Sequence, residues 1–153
     1  MNIIYHCFGG AHSSVTAAAI HLGLLSTTHI PSVTELMKVP FFDYQINADH
    51  GQFRLMGTDE LGNKVFFIGR RNLAVNFEIL IKGLVEMNNL SQKDFILINT
   101  MPLVNWKMVV GGFLSRGLQT PRLGRPIVLK GVQHSFFKYV GLVENVKRIY
   151  INK

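Results

Sequence analysis

The sequence predicts an α/β fold of three layers, in which helices flank a mostly parallel sheet that carries an inserted β-hairpin. Strand-like and helix-like segments alternate along the chain, and the first such pair is joined by Gly9-Gly10. The run 95–98 is apolar throughout, as in a buried strand, and turn formers at 57–63 separate two strand-like runs. The chain has 153 residues, so we expect a single α/β domain over 1–153.

The N-terminal segment predicts one strand followed by two helices. β-branched and aromatic residues at 2–8 predict the strand, and the alanines and leucines of 15–25 favour the first helix. The second helix is predicted at 32–38, because Ser32 and Glu35 have the spacing of a capping box.

The middle of the chain predicts the hairpin, a helix and the clearest buried strand. The runs 52–56 and 64–68 are the hairpin strands. Apolar residues recur at helical spacing over 73–87, and the strand at 95–100 is apolar until two polar residues at its end.

The C-terminal part predicts two helices and two more strands. Residues 103–114 favour a helix, although Gly111-Gly112 weakens it. After a loop we expect a strand at 127–130, a helix at 132–146 and an edge strand at 148–152.

Composition and charge limit the classes of function. Hydrophobic residues make up 48% of the chain and charged residues 16%, which excludes a disordered segment as the main body. The net charge of +7 favours anionic partners. No apolar stretch reaches the roughly 20 residues of a membrane span, so no membrane partner is expected. With one cysteine and no secretory signal, the expected location is cytoplasmic.

The loop after the first strand is the leading candidate for a ligand site. In an open parallel sheet, ligands bind beyond the carboxyl ends of the strands. Gly9 and Gly10 let backbone amides turn inward, while Ser13 and Ser14 lie at a helix start, so the loop favours a phosphate or carboxylate. The alternative is a tight turn with a helix cap. The loop matches neither the Walker A sequence nor G-x-G-x-x-G, and no cofactor is assigned.

Two residues of this segment are candidates for catalysis. His12 could transfer a proton near neutral pH, or it could only shape the loop. The segment is similar to the cysteine-dependent tyrosine phosphatase signature, because His6-Cys7, Gly10 and Ser14 match it. Ser13, however, replaces its arginine, which would grip the phosphoryl group. Cys7 is therefore either a reactive thiolate or, as we prefer, a small buried side chain.

Further candidates for ligand binding lie at other predicted strand and helix ends. They are Arg70, Arg71, Asn99, Thr100 and Arg116, with Lys130 carrying less weight. For any one arginine, the alternative to ligand binding is that its side chain is only part of a solvated basic surface. The histidines lack a metal-ligand spacing, and no metal site is assigned. The carboxylates Asp43, Asp49, Asp59 and Glu60 could serve as general acids, but their spacing does not place them near the loop.

Several segments together resemble an uncharacterised bacterial family, the domain of unknown function numbered 3189. The shared features are Ile4-Tyr5-His6 with residues 9–14, the run 68–72, Asn99-Thr100 with Pro102, the run 111–117, and Gly124 with Pro126 and Lys130-Gly131. The family is known mainly from spore-forming Firmicutes. The resemblance implies a bacterial cytosolic setting and no particular reaction.

These observations predict that the chain binds a phosphate-bearing small molecule, of nucleotide or sugar-phosphate type, at the glycine-rich loop. Group transfer or hydrolysis could follow. The alternatives are a non-catalytic regulatory or sensor module for an anionic ligand or a partner protein, and a degenerate phosphatase-like protein. Nucleic acid ranks third among partners, because the basic residues are dispersed and no recognised motif accompanies them. A homo-oligomer is possible on the sequence alone.

Overall fold

A computed structural model describes residues 1–151 of the chain. Its strands are β1 (Asn2–Cys7), β2 (Arg54–Thr58), β3 (Lys64–Gly69) and β4 (Phe95–Asn99). Its α-helices are α1 (Ser13–His21), α2 (Val33–Lys38), α3 (Ala74–Met87), α4 (Trp106–Gly112) and α5 (Pro121–Val146). The predicted α/β class is confirmed.

The four strands form one sheet in the order β2-β3-β1-β4. β1 lies between β3 and β4 and runs parallel to both, with His6 opposite Ile68 and Asn99. β2 pairs with β3 in antiparallel fashion, as expected for the predicted hairpin. Because the three parallel strands end at the same edge, the loops after Cys7, Gly69 and Asn99 meet there.

Helices cover both faces of the sheet. Ile3 and Tyr5 of β1 belong to the larger core cluster, which includes side chains of α1 and α5. Ile4 points to the other face, where Ile68 and Phe77 of α3 form a smaller cluster. This alternation follows from the two-residue period of a strand, and it gives the three predicted layers.

Two predicted strands are wrong. Residues 127–130 lie inside α5, and 147–151 continue from it as a π-helical turn, so 148–151 form no edge strand. Residue 152 of that predicted strand lies outside the described residues.

Helical spacing of the buried residues explains the first error. Val128, Val132, Phe136 and Val143 are all buried, and they recur on one face of α5. Gly111 of α4 and Gly124 of α5 let the two helices approach closely, since a Cβ at either position would collide with the other helix or with Ser115. Tertiary packing therefore overrides the strand preference of Ile127 and Val128.

Within the described residues, no helix is long and apolar enough to cross a membrane.

Candidate functional site

A cavity of about 410 Å³ lies at the carboxyl edge of the sheet. Cys7, Gly9, His12 and Ser13 of the first loop line one part of it, together with Arg116. Much of the remaining wall is apolar and includes Val104, Met108, Val109 and Phe113. The structure thus brings five of the sequence-predicted site residues to a single cavity.

The first loop is held against the end of β3. Gly10 has a φ of +67°, and a Cβ there would lie 2.5 Å from the amide nitrogen of Gly69. A Cβ on Gly69 would in turn lie 2.6 Å from the carbonyl carbon of Gly9. The Arg70 amide donates to the Cys7 carbonyl at 2.9 Å. Glycine is therefore required at positions 10 and 69, and the loop has little freedom to move.

Backbone amides at the start of α1 lack an acceptor within residues 1–151, and those at 11–13 belong to residues that line the cavity, whereas Ser14 and Val15 are fully buried. The first hydrogen bond of α1 runs from the Thr16 amide to the His12 carbonyl at 2.8 Å. Among the described residues, the amides of 11–15 donate to no protein acceptor. Such unpaired N–H groups give the start of a helix a positive potential.

Asp43 is at the centre of a buried ionic network behind the loop. Its side chain is fully buried, and its carboxylate lies 3.0 Å from His12 Nε2. The Ser115 hydroxyl donates to it at 2.7 Å and Arg125 Nε at 2.7 Å, while Arg116 Nε lies 3.1 Å away. Burial opposes ionisation of Asp43, but the hydrogen bonds from His12, Arg125 and Ser115 outweigh it and hold the pKa well below its usual range.

The network leaves positive charge and one free nitrogen beside the cavity. Two guanidinium groups face one carboxylate, so an anion could compensate the second charge. No hydrogen bond from the terminal nitrogens of Arg116 is found among the described residues. Because Asp43 occupies Nε2 of His12, Nδ1 is the ring nitrogen left for a ligand.

The Cys7 thiol is buried, and it borders the cavity. The Gly10 amide donates to Sγ at 3.1 Å, and the Ser14 hydroxyl lies 3.2 Å from it. Both groups can stabilise a thiolate by hydrogen bonding. Gly10 and Ser14 therefore contact Cys7 and do not line the cavity.

The other predicted residues do not line this cavity. Arg70 is buried and donates from Nε to His6 Nδ1 at 3.1 Å, and burial together with this guanidinium lowers the pKa of His6 to about 4. Thr100 Oγ1 lies 3.1 Å from both the His6 carbonyl and Ser13 Oγ, so it supports the loop from behind.

Arg71, Asn99 and Lys130 are exposed. Asn99 accepts a hydrogen bond from the Met101 amide at 3.0 Å, which shapes the loop after β4. Lys130 lies on α5 rather than at a strand end.

Comparison with known proteins identifies the family. The family model described as "Protein of unknown function (DUF3189)" matches residues 2–148. The chain belongs to this family. No curated protein matches the chain, and no solved structure matches it.

Sequence reasoning did not find every residue of the site in this DUF3189 protein. The sequence marks Asp43 as a possible general acid but does not place it near the first loop, and it indicates no function for Ser115, Arg125 or Gln45. Gly111 and Gly124 mark the close packing of α4 and α5, but the loop predicted before residue 127 hides this signal in the sequence. No group of three or more His, Cys, Asp or Glu side chains suited to a metal ion occurs within 1–151.

Proposed function

We propose that this DUF3189 protein binds a phosphate-bearing small molecule, of nucleotide or sugar-phosphate type, in the cavity at the first loop. The observation that carries the proposal is the set of unpaired amides at 11–13, which lie at the start of a helix and line a cavity that Arg116 also lines. Helix N-termini with free amides are common phosphate sites, and a guanidinium group adds charge and a planar fork.

Charge and cavity size support the same ligand class. The chain carries a net charge of +7, and the pair Arg116 and Arg125 exceeds the charge of Asp43. A cavity of about 410 Å³ lies in the range that small-molecule sites occupy. We expect this function in a reducing compartment such as the bacterial cytosol, because the one thiol is unpaired.

Phosphoryl transfer is a second candidate function, favoured by the contacts of Cys7 with the Gly10 amide and the Ser14 hydroxyl. In that reaction the Cys7 thiolate would attack phosphorus as the bond from phosphorus to the leaving alcohol oxygen breaks, and that oxygen would take a proton from Nδ1 of the protonated His12 ring. Water would then release phosphate from the cysteine. A binding or sensor protein would use the same cavity without these steps.

Ligand binding tests the first proposal. Inorganic phosphate, pyrophosphate and ribose 5-phosphate are titrated into the wild type, Arg116→Gln and Arg148→Gln, with calorimetry and thermal unfolding as readouts. Arg148 is a matched control, because it is exposed in the π-helical turn after α5 and also loses one charge. We expect the Kd for ribose 5-phosphate to rise about tenfold in Arg116→Gln, as for a lost charged hydrogen bond, and to change less than twofold in Arg148→Gln.

Equal weakening in both variants would indicate general charge attraction and would contradict the proposed site. A chromogenic phosphomonoester in the same panel tests phosphoryl transfer. Its hydrolysis must disappear in Cys7→Ser, and full activity of that variant would eliminate the second candidate.

A further inference from the structure

Gln45 combines deep burial with an unsatisfied amide. It lines the cavity and is 3% exposed, yet neither Oε1 nor Nε2 has a hydrogen-bond partner among the described residues. Buried amides in folded proteins are nearly always paired, because an unpaired one loses its bonds to water without replacement. Gln45 borders the cavity while its amide atoms are enclosed and lack a partner within the described part of the chain, so a ligand in the cavity can supply that partner when the side chain turns toward it.

The chemistry of the amide limits what that partner can be. A glutamine presents an acceptor and a donor side by side, so it is satisfied by a group that offers a donor next to an acceptor. The edge of a nucleobase has this arrangement, and paired hydrogen bonds from glutamine to a base are a common mode of recognition. A bare sugar phosphate offers separate hydroxyl groups instead.

The apolar wall of the cavity favours the same kind of group. Val104, Val109 and Phe113 present surfaces that a flat ring can cover, whereas sugar hydroxyls placed there would lose their hydrogen bonds to water. The anionic end of the ligand is provided for separately by the loop amides and Arg116.

We propose that Gln45 pairs with the base of a nucleoside phosphate whose phosphate lies at the first loop. This inference rests on the proposed function and specifies its ligand class. Both amide atoms are enclosed in this structure, so Gln45 must rotate about its side-chain bonds to meet the base. That rotation breaks no hydrogen bond within the described residues.

The test compares ligands with and without a base. AMP, GMP, CMP, UMP, ribose 5-phosphate and the four free nucleosides are titrated into the wild type and Gln45→Met. Methionine keeps the length of the side chain and removes the amide, and thermal unfolding without ligand checks that the variant is folded. We expect the best nucleotide to bind the wild type at least tenfold more tightly than ribose 5-phosphate, and Gln45→Met to abolish most of that difference.

The outcomes separate the two proposals. The role of Gln45 is overturned if nucleotides bind no more tightly than ribose 5-phosphate. It is also overturned if Gln45→Met leaves the Kd of the nucleotides unchanged or raises it only as much as the Kd of ribose 5-phosphate. In these cases the phosphate site still stands. A free nucleoside that binds in a Gln45-dependent way, while ribose 5-phosphate does not bind, overturns the phosphate site and upholds the base contact. If none of these ligands binds, both proposals are overturned.

Discussion

Two buried histidine–aspartate pairs differ in their hydrogen-bond partners and in their position relative to the cavity. His21 is completely buried, with Nδ1 2.8 Å from the Tyr5 hydroxyl and Nε2 3.3 Å from Asp59. His12 lies 3.0 Å from Asp43 through Nε2, and its other nitrogen has no hydrogen-bond partner among the described residues. Only His12 borders the large cavity.

The difference shows how one pair of residue types can serve stability or binding. Both ring nitrogens of His21 are occupied, so this pair joins β1, α1 and the β2–β3 turn, and nothing is left for a ligand. The His12 pair leaves a nitrogen free and is bordered by Arg116 and Arg125, which carry more charge than Asp43 neutralises. A free ring nitrogen and excess positive charge distinguish the candidate site from the structural pair.

The largest expected effect is on stability when the aspartate of each pair is replaced by asparagine. Asp43→Asn removes the negative charge that two guanidinium groups face. The NH2 group of the asparagine would also replace one acceptor oxygen, and a guanidinium group cannot accept a hydrogen bond from it. We expect a loss of about 3 kcal/mol in the free energy of unfolding, near the lower end for breaking a buried ion pair because both arginines are partly exposed.

Asp59→Asn is the matched comparison. The new amide could donate to His21, which could then donate to the Tyr5 hydroxyl. The Asn63 amide, which donates to the same Asp59 oxygen at 3.0 Å, would turn round and accept instead, so the hydrogen bonds can reverse direction. We expect a loss of about 1 kcal/mol, as for a single perturbed hydrogen bond. Urea unfolding measures both values, and equal losses would contradict the assignment of different roles.

A smaller effect is expected in the pH dependence of stability. Burial lowers the pKa of His21, against the opposing hydrogen bond to Asp59, so the folded protein binds this proton less readily than the unfolded chain. Stability therefore falls as the pH drops below the unfolded pKa of about 6.5, by at most about 1.4 kcal/mol per pH unit for one proton. His21→Gln should make the curve of unfolding free energy less steep between pH 7 and pH 5, while the slope due to His6, whose pKa is lowered to about 4, remains. An unchanged slope in this variant would show that His21 takes up its proton equally in both states.

The sequence predicted the parts of the fold that depend on local patterns. The capping box of Ser32 and Glu35 is present, with the Glu35 amide 3.2 Å from Ser32 Oγ. The glycine turn after β1 and the helix at 74–87 also follow from local chemistry. The strand predicted at 127–130 is wrong, because its β-branched residues pack into a long helix through contacts distant in sequence.

The candidate site was predictable only in part, for the same reason. Cys7, His12 and Ser13 lie in one segment, so a rule about strand ends was enough to select them. Asp43 reaches the site through a loop in which it adopts a φ of +53°, and Arg125 reaches it through the packing of α5. Neither relation leaves a pattern in the local sequence.

The most direct test of the phosphate site is to observe the loop amides while an anion binds. Protein labelled with nitrogen-15 is titrated with inorganic phosphate, and the amide resonances are followed by NMR, with chloride at equal ionic strength as the control. We predict saturable shifts concentrated at residues 11–13, with weaker shifts of the same residues in Arg116→Gln. Shifts spread over exposed lysines and arginines, with the amides of 11–13 unchanged, would contradict the account.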